Sequence, residues 1–201
     1  QCNKPGSGRI KVYAIIGGPT SGGDIMGGMG RRSVDNEIYI LQSRRLMEEV
    51  VKRYDLSTAY STSGRIRTVD IYGRTPLLVK FLTAAPSDAG SFKYTVKKDG
   101  KVALGEFRDR LGEEQSFKTT ATVGDTITTP LGKIVFMPTP YVDQYIDKKV
   151  NVSKYPLNEI TESYRKRLQC NITDKMASVI NISMADVVPK RAEDVINGII
   201  D

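Results

Sequence analysis

Between about residues 85 and 140 the chain carries no helical periodicity. Apolar and polar residues instead alternate in short runs, Phe92 to Val96, Lys101 to Leu104, Ser116 to Val123 and Lys133 to Met137. Each run has the length and period of a strand with one buried face. Turn residues separate them: Asp99-Gly100, the strongest hairpin signal in the chain, then Gly124-Asp125 and Pro130-Leu131-Gly132. Strands joined by such short connections pair antiparallel. Residues 85–140 are therefore predicted to form an antiparallel β meander inserted into a different framework.

That framework is read from the flanks. Arg9 to Ile16 reads as a strand. A helix is predicted from Ser33, as N-cap, to about Asp55, with Ile38, Leu41, Leu46, Met47, Val50, Val51 and Tyr54 on its apolar side. Arg65 to Ile71 and Leu77 to Leu82 read as strands across a turn at Tyr72 to Pro76. After Pro156, Leu157, Ile160, Tyr164 and Leu168 line one helical face, and Ser178 to Met184 then alternates as a strand. Pro189 suits a first helical position, and Ala192, Val195, Ile196 and Ile199 repeat at helical spacing. No Gly cap or Pro stop follows Ile200-Asp201, so this helix is expected to be a long one cut short. The predicted fold class is α+β, with helices packed on one face of a mixed sheet. Residues 1–84 and 141–201 form the base domain, and 85–140 form the insert.

Composition removes several function classes. The 201 residues carry 39% hydrophobic and 26% charged side chains, an ordinary globular balance. No run of about 18 apolar residues is present, and the first eight residues lack the apolar core of a secretory signal. The formal charge of +7 is spread over scattered pairs such as Arg31-Arg32 and Lys97-Lys98, plus Arg165-Lys166-Arg167. A nucleic-acid binder gathers its cations on one element among stacking aromatics, so nucleic acid is not an expected partner. Histidine is absent, and Cys2 and Cys170 are too few for a disulfide framework or a metal site. No metal and no cofactor is expected, and the two thiols are read as separate.

Four motifs invite chemistry. The Gly-rich stretch from Gly17 to Gly30 lies between strand and helix but has neither the Gly-x-x-x-x-Gly-Lys-Ser/Thr nor the Gly-x-Gly-x-x-Gly pattern of a phosphate cradle. It is read as a loop, and a phosphate-handling enzyme ranks last among the readings. Asp70, Glu106, Asp109, Glu113 and Glu114 could supply an acid/base pair, but nothing in the sequence brings two together. Tyr72, Tyr141, Tyr145 and Tyr155 could stack on sugars beside basic residues, although no tryptophan supports such a platform. Asn151, Asn171 and Asn181 each begin a glycosylation triplet, a pattern common by chance.

The stretch from Val34 to Leu56, with its Asn36-Glu37, Leu41-Gln42-Ser43-Arg44 and Val50-Val51 elements, resembles the first helix of the periplasmic chain-length-determinant (Wzz) domain. Arg67 to Pro76 is similar to the segment that follows in Bacteroidetes members. Leu157 to Leu168 and Ile180 to Asn197 resemble that family's second helix, last strand and entry into its long helix. The insert resembles that of the Wzc-like branch, whose members carry a cytoplasmic tyrosine autokinase. The resemblance covers most of the chain, and its final motif is the more specific. It implies a periplasmic domain of an inner-membrane polysaccharide co-polymerase, homo-oligomeric, without catalytic residues of its own, regulating the length of an exported exopolysaccharide, capsule or O-antigen. The expected partners are further copies of the chain, the membrane polymerase, the growing polysaccharide and an outer-membrane export protein. The sequence shows no Walker motif or tyrosine-rich tail, which leaves kinase activity of the parent open.

The expected intersubunit contacts are Asn36, Glu37, Arg44 and Arg45, polar residues suited to a hydrated helical interface. The alternative function is a secreted carbohydrate-binding module whose β meander carries tyrosine-lined contacts.

Overall fold

The computed structural model describes residues 8–15, 29–64, 67–174 and 179–201. In chain order, β1 (Gly8–Ile15) precedes α1 (Met29–Leu41), α2 (Arg44–Arg53), β2 (Thr58–Ser63), β3 (Thr68–Asp70) and β4 (Leu77–Phe81). Six strands follow: β5 (Gly90–Val96), β6 (Lys101–Arg108), β7 (Glu114–Gln115), β8 (Thr119–Thr122), β9 (Thr126–Thr129) and β10 (Gly132–Pro138). The chain closes with β11 (Lys149–Lys154), α3 (Leu157–Arg167), β12 (Leu168–Asp174), β13 (Val179–Asp186) and α4 (Pro189–Ile200). It divides into two compact units, Gln1–Asp55 with Glu159–Asp201, and Leu56–Asn158. The second unit thus takes in residues 56–84 and 141–158 as well as 85–140.

The expected α+β architecture, with helices on one face of a mixed sheet and a long final helix, is corrected. Of the described residues 42% lie in strands and 28% in helices, and the three sheets pair their strands antiparallel throughout. The parallel contact among described residues is an isolated bridge from Val96 to Ile146. Outside residues 85–140, apolar spacing exposed the helices but not three strands, β2, β11 and β12, and these tip the balance. The final helix is a short one of 12 residues, with Asp201 at its C-cap donating its N–H to Asn197 O. The first predicted helix is two. Apolar residues step by five from Leu41 to Leu46, out of helical phase, and Ser43 caps α2 by accepting from Leu46 N at 3.3 Å. Ser33 lies inside α1 instead of capping it.

In the first unit β13 is the centre of a three-stranded sheet, flanked by β1 and β12. Its alternation buries Ile180, Ile182 and Met184 together with the α4 face of Ala192, Val195, Ile196 and Ile199 and with Met47, Val50 and Val51 of α2. Gly198 permits close approach of α2: a Cβ there would stand 2.6 Å from Tyr54 Cε2 and 3.3 Å from Val50 Cγ1. Asp186 ends β13 fully buried. Arg191 donates to both its oxygens at 2.6 and 3.1 Å, Arg167 donates at 2.9 Å, and Val188 N–H at 2.9 Å. Arg167 in turn lies 4.2 Å over the Tyr164 ring. Burial alone would raise the Asp186 pKa. The Arg191 and Val188 hydrogen bonds and the two guanidinium charges outweigh it and leave the carboxyl below its usual range.

The second unit holds a three-stranded sheet, β4-β10-β9, and a seven-stranded one ordered β3-β2-β11-β5-β6-β7, with β8 on β6. One core is shared between them: Phe92 stacks on Phe107 at 4.9 Å, and Phe136 meets Phe92 and Tyr94 edge-on. The free edge of β4 is closed by tyrosines of the larger sheet. Val79 N–H donates to Tyr60 Oη at 2.8 Å, and Tyr94 Oη bonds both the N–H and the carbonyl of Leu77. These buried edge groups would otherwise lack partners. The expected Asp99-Gly100 hairpin joins β5 to β6, with Gly100 at φ +79°. No helix among the described residues is long and apolar enough to cross a membrane.

Candidate functional site

The inner face of the larger sheet is apolar, so polar residues at alternate positions project from its outer face. Asn151 of β11 pairs with Ser61 of β2 on one side and Lys93 of β5 on the other. One register row thereby carries an alcohol, an amide and an ammonium. Together with Thr62, Ser63, Thr68 and Lys149 these residues line a cleft of about 270 Å³. Asn151 Nδ2 donates to Ser153 Oγ at 3.1 Å, which orients the amide along its strand.

A bulge completes the cleft's edge. Ser91 pairs with Arg108 and Lys93 with Gly105, so β6 has one residue more than β5 across this interval. Leu104 points inward and Gly105 outward. Glu106 absorbs the extra position at φ +54°, and Phe107 returns inward to stack on Phe92. Left-handed backbone suits glycine at such a site and costs a glutamate on the order of 1 kcal/mol. The conformation delivers the Glu106 carboxylate between two lysines: Oε1 accepts from Lys149 at 2.6 Å and Oε2 from Lys93. Hydrogen bonds from Lys149 and then Lys93 hold its carboxyl down to about 2. Two cations share one anion here, and the cluster keeps one positive charge.

The other sequence candidates separate. Asp109 accepts from the N–H groups of Leu111 and Glu113 in a turn, Asp70 accepts from Tyr72 N–H, and Glu114 lies 3.7 Å from Arg108. These carboxylates shape local structure, and no acid/base pair forms among them. Tyr72, Tyr141 and Tyr145 are half-buried and Tyr155 is exposed, yet none lines the cleft. Asn171 is exposed on the edge strand β12, whereas Asn151 and Asn181 lie on central strands. The Gly17 to Gly30 loop lies outside the described residues up to position 28, while Met29 and Gly30 open α1. Cys2 is also outside them. Cys170 is buried with a free thiol, and burial pushes its pKa up to about 11.

The four expected contact residues fall on two helices. Asn36 is exposed and Glu37 half-buried on α1, close in sequence to Tyr39, which is 76% exposed, and Ile40. On α2, Arg44 lies 3.8 Å from Glu162 and Arg45 pairs with Glu49 at 3.4 Å. Sequence reasoning missed Ser61, Thr62, Ser63, Thr68, Lys93 and Lys149. It met Asn151 as a glycosylation triplet and Glu106 as one of several scattered acids. The usable signal was the alternation of Val150 and Val152 with polar residues, which marks β11 as half-buried.

No family model matches the chain, and no curated protein does.

Proposed function

We propose that the chain is a non-enzymatic domain of a polysaccharide co-polymerase, working in the periplasm as part of an inner-membrane protein and touching both its own copies and the polymer whose length it regulates. The resemblance of residues 34–56 and 180–197 motivates this reading. The observation that carries it is the outer-face cleft, where hydroxyls, an amide and two ammonium groups line an open groove on a rigid sheet. Such a surface offers many directional hydrogen bonds to a hydroxyl-rich chain and asks for no bond-making chemistry. Tyr39 and Ile40, exposed beside Asn36 and Glu37, support a homo-oligomeric contact. A tyrosine autokinase in the parent and an outer-membrane export partner belong to the same proposal.

The test replaces Ser61 and Asn151 by alanine in the full-length parent and resolves exported polysaccharide by gel. A changed length distribution is expected at normal protein abundance; an unchanged one sinks the reading of the cleft. The cleft alone also favours the second reading, a secreted carbohydrate-binding module. That version predicts micromolar binding of free oligosaccharide by the isolated chain with no self-association.

A further inference from the structure

Lys93 and Lys149 reach from neighbouring strands to different oxygens of a single carboxylate, so the protein already demonstrates what this pair of ammonium groups can hold. The carboxylate is its own. Glu106 is delivered by a left-handed backbone at a bulge, a conformation that nothing in the fold's apolar core requires of a glutamate. A glycine would meet the same turn without strain. The side chains of Lys93, Glu106 and Lys149 are 38%, 35% and 58% exposed, so the clamp is open to solvent and to exchange. It borders hydroxyl and amide groups of Ser61, Ser63, Thr68 and Asn151 in the same cleft.

We propose that this clamp is a self-occupied carboxylate site, and that the cleft selects acidic polysaccharide by exchanging Glu106 for the carboxylate of a uronic-acid residue. The inference rests on reading the cleft as a polysaccharide contact and adds the ligand's chemical class. A uronate brings the group that the lysines grip, together with ring hydroxyls for the serine, threonine and asparagine side chains. A neutral sugar brings only the second set. A small inorganic anion brings only the first. At about 270 Å³ the cleft lies just below the size of a typical small-molecule pocket, which suits a segment of a longer chain. In the resting state Glu106 pairs with both ammonium groups and keeps weak anions out.

Equilibrium binding of the 201-residue chain to tri-galacturonate, its fully methyl-esterified counterpart and sodium sulfate tests this, with E106Q and the K93A/K149A variant alongside. The wild-type chain is expected to bind the acid form at least about tenfold tighter than the ester. E106Q should tighten acid binding about tenfold further and leave the ester unchanged, while K93A/K149A should reduce acid binding to the level of the ester. Equal wild-type affinity for acid and ester overturns the acidic class while leaving the polysaccharide contact standing. Binding of neither overturns both. Sulfate binding as tight as the acid form also overturns the proposal, since the site would then be a general anion trap. The wild-type acid-to-ester ratio decides the matter even if a variant misfolds.

Discussion

Replacing Asp186 by alanine isolates what holds the first unit together. The carboxylate is fully buried and accepts four hydrogen bonds, two from Arg191, one from Arg167 and one from Val188 N–H. The Arg191 side chain is only 12% exposed, so removing the anion strands a guanidinium with little access to water. Breaking one partner of a buried pair costs about 3–5 kcal/mol. Arg167 is one-third exposed and can turn outward, which places the expected loss near the lower end, at about 3 kcal/mol. With a urea slope of about 1.5 kcal/mol/M, the midpoint should fall by about 2 M. The transition is best followed by amide exchange in β13 and α4, because the two units need not unfold together. Asp186→Asn keeps an acceptor and should lose about half as much. The double variant Asp186→Leu with Arg191→Met should recover part of the loss, since it removes the more deeply buried guanidinium, while Arg167 turns outward and Val188 N–H still lacks its acceptor. A shift below about 0.5 M for the alanine variant, or a double variant no better than the single, would show that the arginines do not depend on this carboxylate.

Four further outcomes are expected. Gly198→Ala should destabilise by about 1–3 kcal/mol in thermal melts despite alanine's better helix propensity, because the added Cβ meets Tyr54 at 2.6 Å; a gain in stability would mean that α2 shifts freely. Tyr60→Phe leaves Val79 N–H buried without its acceptor and should cost about 1–3 kcal/mol in urea titration, whereas no loss would indicate another partner. The pKa values of Glu106 and Asp186 lie below their unfolded values, so their stabilisation is complete above about pH 4.5 and fades as pH falls, for Glu106 through about 2; acid titration of E106Q should show a smaller drop over that window than the wild-type chain. Cys170 should resist alkylation at pH 8 in the folded chain and react in urea, as peptide mapping would register.

Where a face buries large aliphatic residues, local pattern reveals it. Ile180, Ile182 and Met184, followed by Ala192, Val195, Ile196 and Ile199, announce β13 and α4 because the core needs them at fixed periods. The strand β2 is hidden because its inward positions include Thr58 and Tyr60, and its outward ones are the small residues Ala59, Ser61 and Ser63. The strand β12 is hidden because Leu168 continues the helical spacing of α3 without a break. The cleft was less legible still. Ser61, Lys93, Glu106 and Lys149 are brought together by the register of four strands, and polar outward positions have no period that separates them from ordinary surface. Glu106 also depends on a bulge, and nothing in Leu104-Gly105-Glu106-Phe107 distinguishes an extra residue from a change of pattern. The antiparallel class itself was legible in 85–140 but was confined there, since the strands completing those sheets lie outside that interval.

The bulge at Glu106 also acts as a phase shift in the chain. Before it, even-numbered residues of β6, Val102 and Leu104, face inward; after it, the inward residue is the odd-numbered Phe107. Excising Glu106 would erase that shift: plain alternation would return, with Phe107 still inward against Phe92 and Arg108 still outward opposite Ser91, and only the carboxylate between the two lysines would be gone. The aromatic core would thus accept a β6 one residue shorter, and the extra residue serves the outer face alone.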